Sequence, residues 1–148
     1  MVRHRTQARV GRIGLEYRSG FLFVTLPSGR RLAYVKPRIE LNKFGREGLT
    51  YEGIGENKKW SRIETYGPKL TENVVQGTAR DLLAYAMLRL DGAGYPVVMH
   101  IHDEAVAEVP EGTGSVADMT TLMSQGPEWA AGLPLRADGY ECYFYKKD

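Results

Sequence analysis

Between Thr71 and Leu90 apolar residues recur every three or four positions, and no other stretch of the chain leaves so few structural options. Val75, Ala79, Leu82, Ala86 and Leu90, with Val74, Leu83 and Met87 beside them, fall on one face of a 3.6-residue helix, while Glu72, Asn73, Gln76 and Arg80 fall on the other. Such a stripe needs a surface to bury against. Gly92, Gly94 and Pro96 then predict a stop, because glycine accepts the left-handed conformation that ends a helix and proline cannot continue one. Directly afterwards Val97 to His102 reads as a buried strand and Ala105 to Val109, ended by Pro110, as a second, with Asp103 and Glu104 at the bend between them.

The rest of the chain is mostly extended. Phe21 to Leu26 and Arg31 to Val35 are rich in β-formers and flank Pro27-Ser28-Gly29-Arg30, which predicts a hairpin. Short strands are expected near Ile39–Leu41, Leu49–Glu52 and Trp60–Glu64, and a β-rich end at Tyr140 to Tyr145. Val116 to Met123 predicts a second helix, with Ser115 as N-cap and Asp118 three residues on. Residues 1–20 are basic and punctuated by glycine without a sustained period, so they read as a loosely held arm or a short helix broken at Gly11 and Gly14. Lys146 and Lys147 read as a solvated tail. Residues 21–148 then form one α+β domain, an antiparallel sheet centred on the Val97–Val109 hairpin with both helices packed on it.

A chain of 148 residues, 43% of them apolar, can bury one core but not several, which excludes a large multi-domain enzyme. The longest apolar run lies near Val97–Ile101, far short of the roughly 18 residues of a membrane span, and the Arg-rich start has no apolar secretory core. A single cysteine, Cys142, excludes an internal disulfide and Cys-based zinc sites. These features predict a cytosolic protein without a membrane partner. Charge is unevenly spread: residues 1–50 hold eleven Lys/Arg against three Asp/Glu, and residues 101–148 hold three against nine. A basic first third suits a polyanion, and an acidic last third suits a metal ion; mutual attraction of the two ends accounts for the pattern equally well.

His100-Ile101-His102-Asp103-Glu104 is where chemistry concentrates. Carboxylates next to apolar strands need a cation, a proton or hydrogen-bond donors. Oxygen donors on a rigid hairpin suit Mg²⁺, which takes one or two protein carboxylates plus substrate phosphates, and two such ions can clamp an in-line phosphoryl displacement. An exposed acidic turn beside two strand histidines explains the same five residues. Trp60, Trp129, Tyr140, Tyr143 and Tyr145 read as core or strand residues rather than base-stacking platforms, and Cys142 as a small packed side chain.

The Gln76-Gly-Thr-Ala-Arg-Asp81 helix, its Gly/Pro stop and the apolar strand ending His102-Asp103-Glu104 resemble the last third of family A DNA polymerases, the bacterial polymerase I-like group, and its phage members above all. Gly29-Arg30-Arg31-Leu32 matches that family's hairpin, Thr65 to Asn73 its Thr-Tyr-Gly-x-Lys-Leu-Thr-Glu-Asn approach, and Pro127 to Leu135 its Pro-Glu-Trp-Ala-x-Gly-Leu-Pro-Leu tail, all in family order from about Phe21 onward. The resemblance implies a palm-type fold and two-metal nucleotidyl transfer with two Mg²⁺ ions. It makes Asp103 the metal-binding catalytic carboxylate, Glu104 its less essential neighbour and metal ligand, and His102 a group near the primer 3′ end. Gln76 becomes a sequence-blind contact to the duplex minor groove; Arg80, Arg30 and Arg31 become backbone contacts. Asn73 joins them out of register, since relatives carry Asn four residues before the Gln and here that position is Glu72.

Two parts of that enzyme have no counterpart. No aspartate stands at a strand end followed by Tyr-Ser, and the fingers helix is imitated only by Lys58 and Tyr66-Gly67, with Ile54 where an Arg belongs and Arg62 where an aromatic belongs. The resemblance therefore implies a chain inactive alone, completed by a partner polypeptide that supplies the first palm motif and fingers, with primer-template DNA and dNTP as substrates, or one that self-associates through the face left bare. A non-catalytic nucleic-acid-binding or remnant module is the alternative. A hydrolase using His100, His102 and Asp103 would need further ligands, and the remaining histidine is His4.

Overall fold

Leu22 and Val24 alternate with Phe21, Phe23 and Thr25, a period of two that commits the segment to a strand with one covered face. The structure is a computed structural model that describes residues 2–4, 6–42 and 44–145, so Lys146 and Lys147 lie outside the described residues. The chain divides into two units, Met1–Thr78 and Ala79–Asp148.

In the first unit six strands follow one another in an antiparallel meander: β1 (Gln7–Val10), β2 (Ile13–Arg18), β3 (Phe21–Thr25), β4 (Arg31–Leu41), β5 (Glu47–Ile54) and β6 (Trp60–Thr65). The hairpin expected at Pro27–Arg30 is present; Leu26 N–H donates to Arg30 O at 2.8 Å and Gly29 takes φ +89°. Residues 7–18 are a correction. Instead of a loose arm or broken helix they are β1 and β2, paired from Gln7↔Glu16 to Val10↔Ile13. Gly11, at φ +57°, opens the two-residue turn between them, so a glycine taken for a helix breaker is a hairpin residue.

Leu22, Val24 and Tyr34 form the buried cluster of this sheet, covered by Leu15, Leu49, Tyr51, Leu70 and Val74. Across β4 to β6 a polar network bridges the strands. Arg62 donates to Thr50 Oγ1 at 3.0 Å and pairs with Glu52 at 3.2 Å, and Thr50 donates to Glu40 at 2.6 Å. The Thr50 hydrogen bond holds Glu40 below the ordinary carboxylate range, and the Lys36 hydrogen bond does the same for Glu52.

Helix α1 runs from Gly67 to Gly92, beginning before the expected Thr71, and the boundary between the units falls inside it. Its first half turns Val74 to the sheet cluster, while Val75 is 59% exposed and Ala79 is exposed too, so the expected stripe is broken at Val75 and Ala79 and continues as half-buried Leu82 and Met87 and buried Leu83, Ala86 and Leu90. The reason is Gly77. A Cβ there would stand 2.9 Å from Leu26 Cδ1 and 3.6 Å from Leu32 Cδ2, and its absence lets this side of α1, rather than the Val75 side, meet the sheet.

In the second unit α1 ends as expected. Gly94 at φ +88° donates to Asp91 O at 3.1 Å and Tyr95 N–H donates to Leu90 O at 2.9 Å, which together satisfy two terminal carbonyls. β7 (Val97–Ile101) and β8 (Glu104–Ala107) follow, then α2 (Val116–Ser124) and a short 3₁₀ turn at Glu128–Ala130. The Ser115 side chain accepts from Asp118 N–H at 3.1 Å, the cap read from the sequence. Tyr95 Oη accepts from Ser115 N–H at 3.0 Å, and its ring fills the space where a Cβ of Gly114 would lie.

The chain is thus α+β with antiparallel sheets, as expected, but β7 and β8 make a two-stranded sheet of their own and are not the middle of the six-stranded one. The β-rich end is also corrected: residues 140–145 form no strand, with Tyr143 92% and Phe144 73% exposed. β-forming side chains make a strand only where a neighbouring ladder accepts them, and among the described residues none pairs with this segment. Cys142 is exposed rather than packed. Trp60 lies in a strand but is exposed, and Trp129 is half-buried. Among the described residues no helix is long and apolar enough to cross a membrane.

Candidate functional site

β7 and β8 pair through Met99↔Val106, His100↔Ala105 and Ile101↔Glu104, which leaves His102 and Asp103 as a two-residue loop. Loops of this length favour glycine or asparagine at positive φ. His102 nevertheless takes φ +50°, a left-handed conformation that costs a non-glycine residue on the order of 1 kcal/mol. Strain of this kind concentrates at positions kept for what the side chain does. His102, Asp103 and Glu104 are all exposed, so the carboxylates are not the half-buried groups that need an internal cation. Tyr145 Oη donates to Glu104 Oε2 at 3.3 Å, and desolvation with the Glu104 charge raises the phenol above its ordinary value. Asp103 is exposed, and among the described residues it has no hydrogen-bond or ion-pair partner.

Among the described residues no three His, Cys, Asp or Glu side chains gather closely enough to hold a metal ion. What the hairpin offers is two adjacent exposed carboxylates. That donor set fits Mg²⁺, which binds through one or two protein carboxylates and completes its shell with water and phosphate oxygens. It does not fit a zinc-type hydrolase, which requires three nitrogen or carboxylate ligands converging on one point. His100 points to a different partner: Arg80 Nη2, on the second half of α1, lies 3.5 Å from His100 Nε2.

The first unit holds the other candidates. Gln76 is exposed on α1. Arg30 Nη2 donates to Gly77 O at 2.7 Å, which brings the β3–β4 turn beside Gln76. Arg31, the next residue, diverges into β4, where its guanidinium lies 5.6 Å from the Phe23 ring centroid and 3.8 Å from Glu16. Asn73 is engaged internally: Nδ2 donates to Tyr34 Oη at 3.0 Å, and Tyr34 is 5% exposed. Burial raises the Tyr34 phenol above its ordinary value, against the pull of that hydrogen bond. Sequence reasoning missed Gly77, whose signal was available: a glycine inside an otherwise strong helix costs about 1 kcal/mol and calls for a packing reason.

The chain is 58% identical, over 133 residues and 89% of its length, to 20% of the DNA polymerase of Bacillus phage SP02. It is 30% identical, over 120 residues and 77% of its length, to 13% of the thermostable DNA polymerase I of Thermus thermophilus. It therefore spans a fifth or less of the length of these relatives. No family model and no solved structure matches it. Along most of its length the chain is similar to a part of a phage DNA polymerase and, more distantly, to a part of a bacterial DNA polymerase I.

Proposed function

We propose that these residues form the palm half of a family A DNA polymerase active site, working in DNA replication in a bacterial, phage or prophage cytoplasm. The observation that carries this reading is the His102-Asp103 loop, held at a strained φ in a chain 58% identical to a phage DNA polymerase. Asp103 and Glu104 would hold Mg²⁺, which when bound neutralises charge on the incoming phosphates and on the primer oxygen. His102 stands beside the primer 3′ end. Gln76 meets the minor-groove acceptors common to all base pairs, and Arg30 and Arg80 meet the backbone. The first palm carboxylate and the Lys/Arg clamp on the triphosphate come from a partner polypeptide, so the 148 residues alone do not extend a primer.

The test mixes this chain with a separately expressed polypeptide covering the complementary part of the phage enzyme, a primer-template, dNTP and Mg²⁺. Extension is expected from the mixture alone, and Asp103→Asn is expected to lower it by about a hundredfold or more. Undiminished extension by that variant contradicts the assignment. The absence of a third metal ligand among the described residues favours one other reading, a non-catalytic DNA-binding module. Duplex binding without extension in any mixture would select it.

A further inference from the structure

We infer that Tyr145 is a positioning residue for Glu104: its phenol holds one carboxylate oxygen and leaves the other as a single-oxygen ligand beside Asp103, an arrangement that favours Mg²⁺ over Ca²⁺. This rests on the reading above that Asp103 and Glu104 bind the metal ion. Tyr145 Oη donates to Glu104 Oε2 at 3.3 Å, and among the described residues Glu104 has no other hydrogen-bond or ion-pair partner. The contact has a companion. Tyr143 Oη donates to Glu111 Oε1 at 3.4 Å, so two phenols two residues apart reach one carboxylate at the start of β8 and another in the loop after it. Residues 143–145 form a strap beside the hairpin, fastened by side chains where no ladder among the described residues accepts the backbone. Tyr145 is 41% exposed against 92% for Tyr143, so the ring next to Glu104 is the seated one.

An exposed glutamate samples several rotamers, and ordering it on a ligand costs free energy. The ladder fixes the Glu104 backbone opposite Ile101, and the phenol fixes the far end of the side chain. Outer hydrogen bonds orient ligating carboxylates, and losing one typically costs tenfold or more in metal affinity. An exposed bond of 3.3 Å belongs below that range, at about fivefold. The number of oxygens offered follows from the same contact. With Oε2 engaged, Glu104 presents Oε1 alone. Mg²⁺ is small, demands octahedral geometry and binds through one or two carboxylates with water completing its shell. Ca²⁺ is larger and accepts both oxygens of one carboxylate, a mode that Glu104 reaches only when the phenol is displaced.

The test follows the NMR amide shifts of residues 102–105 in the isotope-labelled 148-residue chain as Mg²⁺ or Ca²⁺ is added, for wild type, Tyr145→Phe, Tyr143→Phe and Asp103→Asn. Tyr145→Phe keeps the ring and removes only an exposed hydroxyl, so the fold is not at stake. Expected is a Mg²⁺ affinity about fivefold weaker in Tyr145→Phe with Ca²⁺ affinity unchanged or higher, so that discrimination between the two ions falls. Tyr143→Phe should leave both affinities within about twofold of wild type, and Asp103→Asn should abolish the shifts. If Tyr145→Phe matches wild type for both ions, the positioning role is refuted, while loss of primer extension in Asp103→Asn still upholds the polymerase reading. An equal loss for both ions, or the same loss in Tyr143→Phe, traces the effect to anchoring of the strap and overturns the inference. If neither ion shifts residues 102–105 in wild type, Tyr145 has no ligand to position and the inference falls; the reconstituted extension assay then decides the polymerase reading by itself.

Discussion

Asn73 and Gln76 are three residues apart on α1 and resemble one polymerase motif, yet their amides have opposite surroundings. Gln76 is exposed, whereas Asn73 donates to a phenol that is almost fully buried. Replacing Asn73 by Ala leaves Tyr34 Oη without its partner, and the expected loss is about 1–3 kcal/mol in a urea unfolding titration. Adding Tyr34→Phe should return part of that loss, since the orphaned hydroxyl is then gone. Duplex affinity of the Asn73→Ala chain should stay within about twofold of wild type, because the side-chain amide is already engaged by Tyr34; a larger fall would return it to the DNA-binding set. At this scale the sequence carried the identities well. Asp103, His102 and Gln76 stood out through their neighbours, and the shift of Asn73 against its relatives was visible. Its internal partner was not, because that depends on where β4 passes beneath the helix.

Helix α1 and the β3–β4 turn meet through an absence. The missing side chain at Gly77 admits Leu26 and Leu32, and the Arg30 guanidinium closes the contact on the Gly77 carbonyl. Gly77→Ala gains about 1 kcal/mol in helix propensity but forces a Cβ against Leu26, an overpacking cost of typically 1–3 kcal/mol. The expected result is a net loss of stability, partly recovered when Leu26 is shortened to Val, as measured by thermal unfolding of both variants. A stabilised Gly77→Ala chain would show that the close approach is not needed. Elements with a strong local period were legible in type and order: the strands from Phe21 to Thr65 and the two helices are present, although α1 begins at Gly67 and the segments expected at Arg31 to Val35 and Ile39–Leu41 join in β4. Residues 7–18 were not, because a glycine that ends a helix and one that opens a hairpin look alike until a partner strand is known. Residues 140–145 failed for the converse reason, with β-forming side chains but no ladder to join.

As a whole, the molecule presents apolar side chains that its own core does not take up. Leu88, Tyr143 and Phe144 are more than two-thirds exposed. A contiguous apolar patch is a surface that another chain can cover, and the proposed partner would take up these side chains. Light scattering on the isolated 148 residues is expected to show concentration-dependent association, replaced by a defined complex once the complementary polymerase part is added. A monomer that stays monomeric at high concentration, with or without that part, would count against a covering partner. Charge asymmetry was plain from composition, but the division into two units and the separation of the β7–β8 hairpin from the large sheet were not. Local pattern says that a strand exists; which strand it pairs with is decided by turns and packing together.

The meander has one more consequence. Each of its ladders joins strands adjacent in sequence, through connections of only a few residues. Loop closure is therefore inexpensive at every step, and contact order within the sheet stays low. The six strands can zip in sequence as the nascent chain leaves the ribosome, so that a finished platform awaits α1 when it emerges.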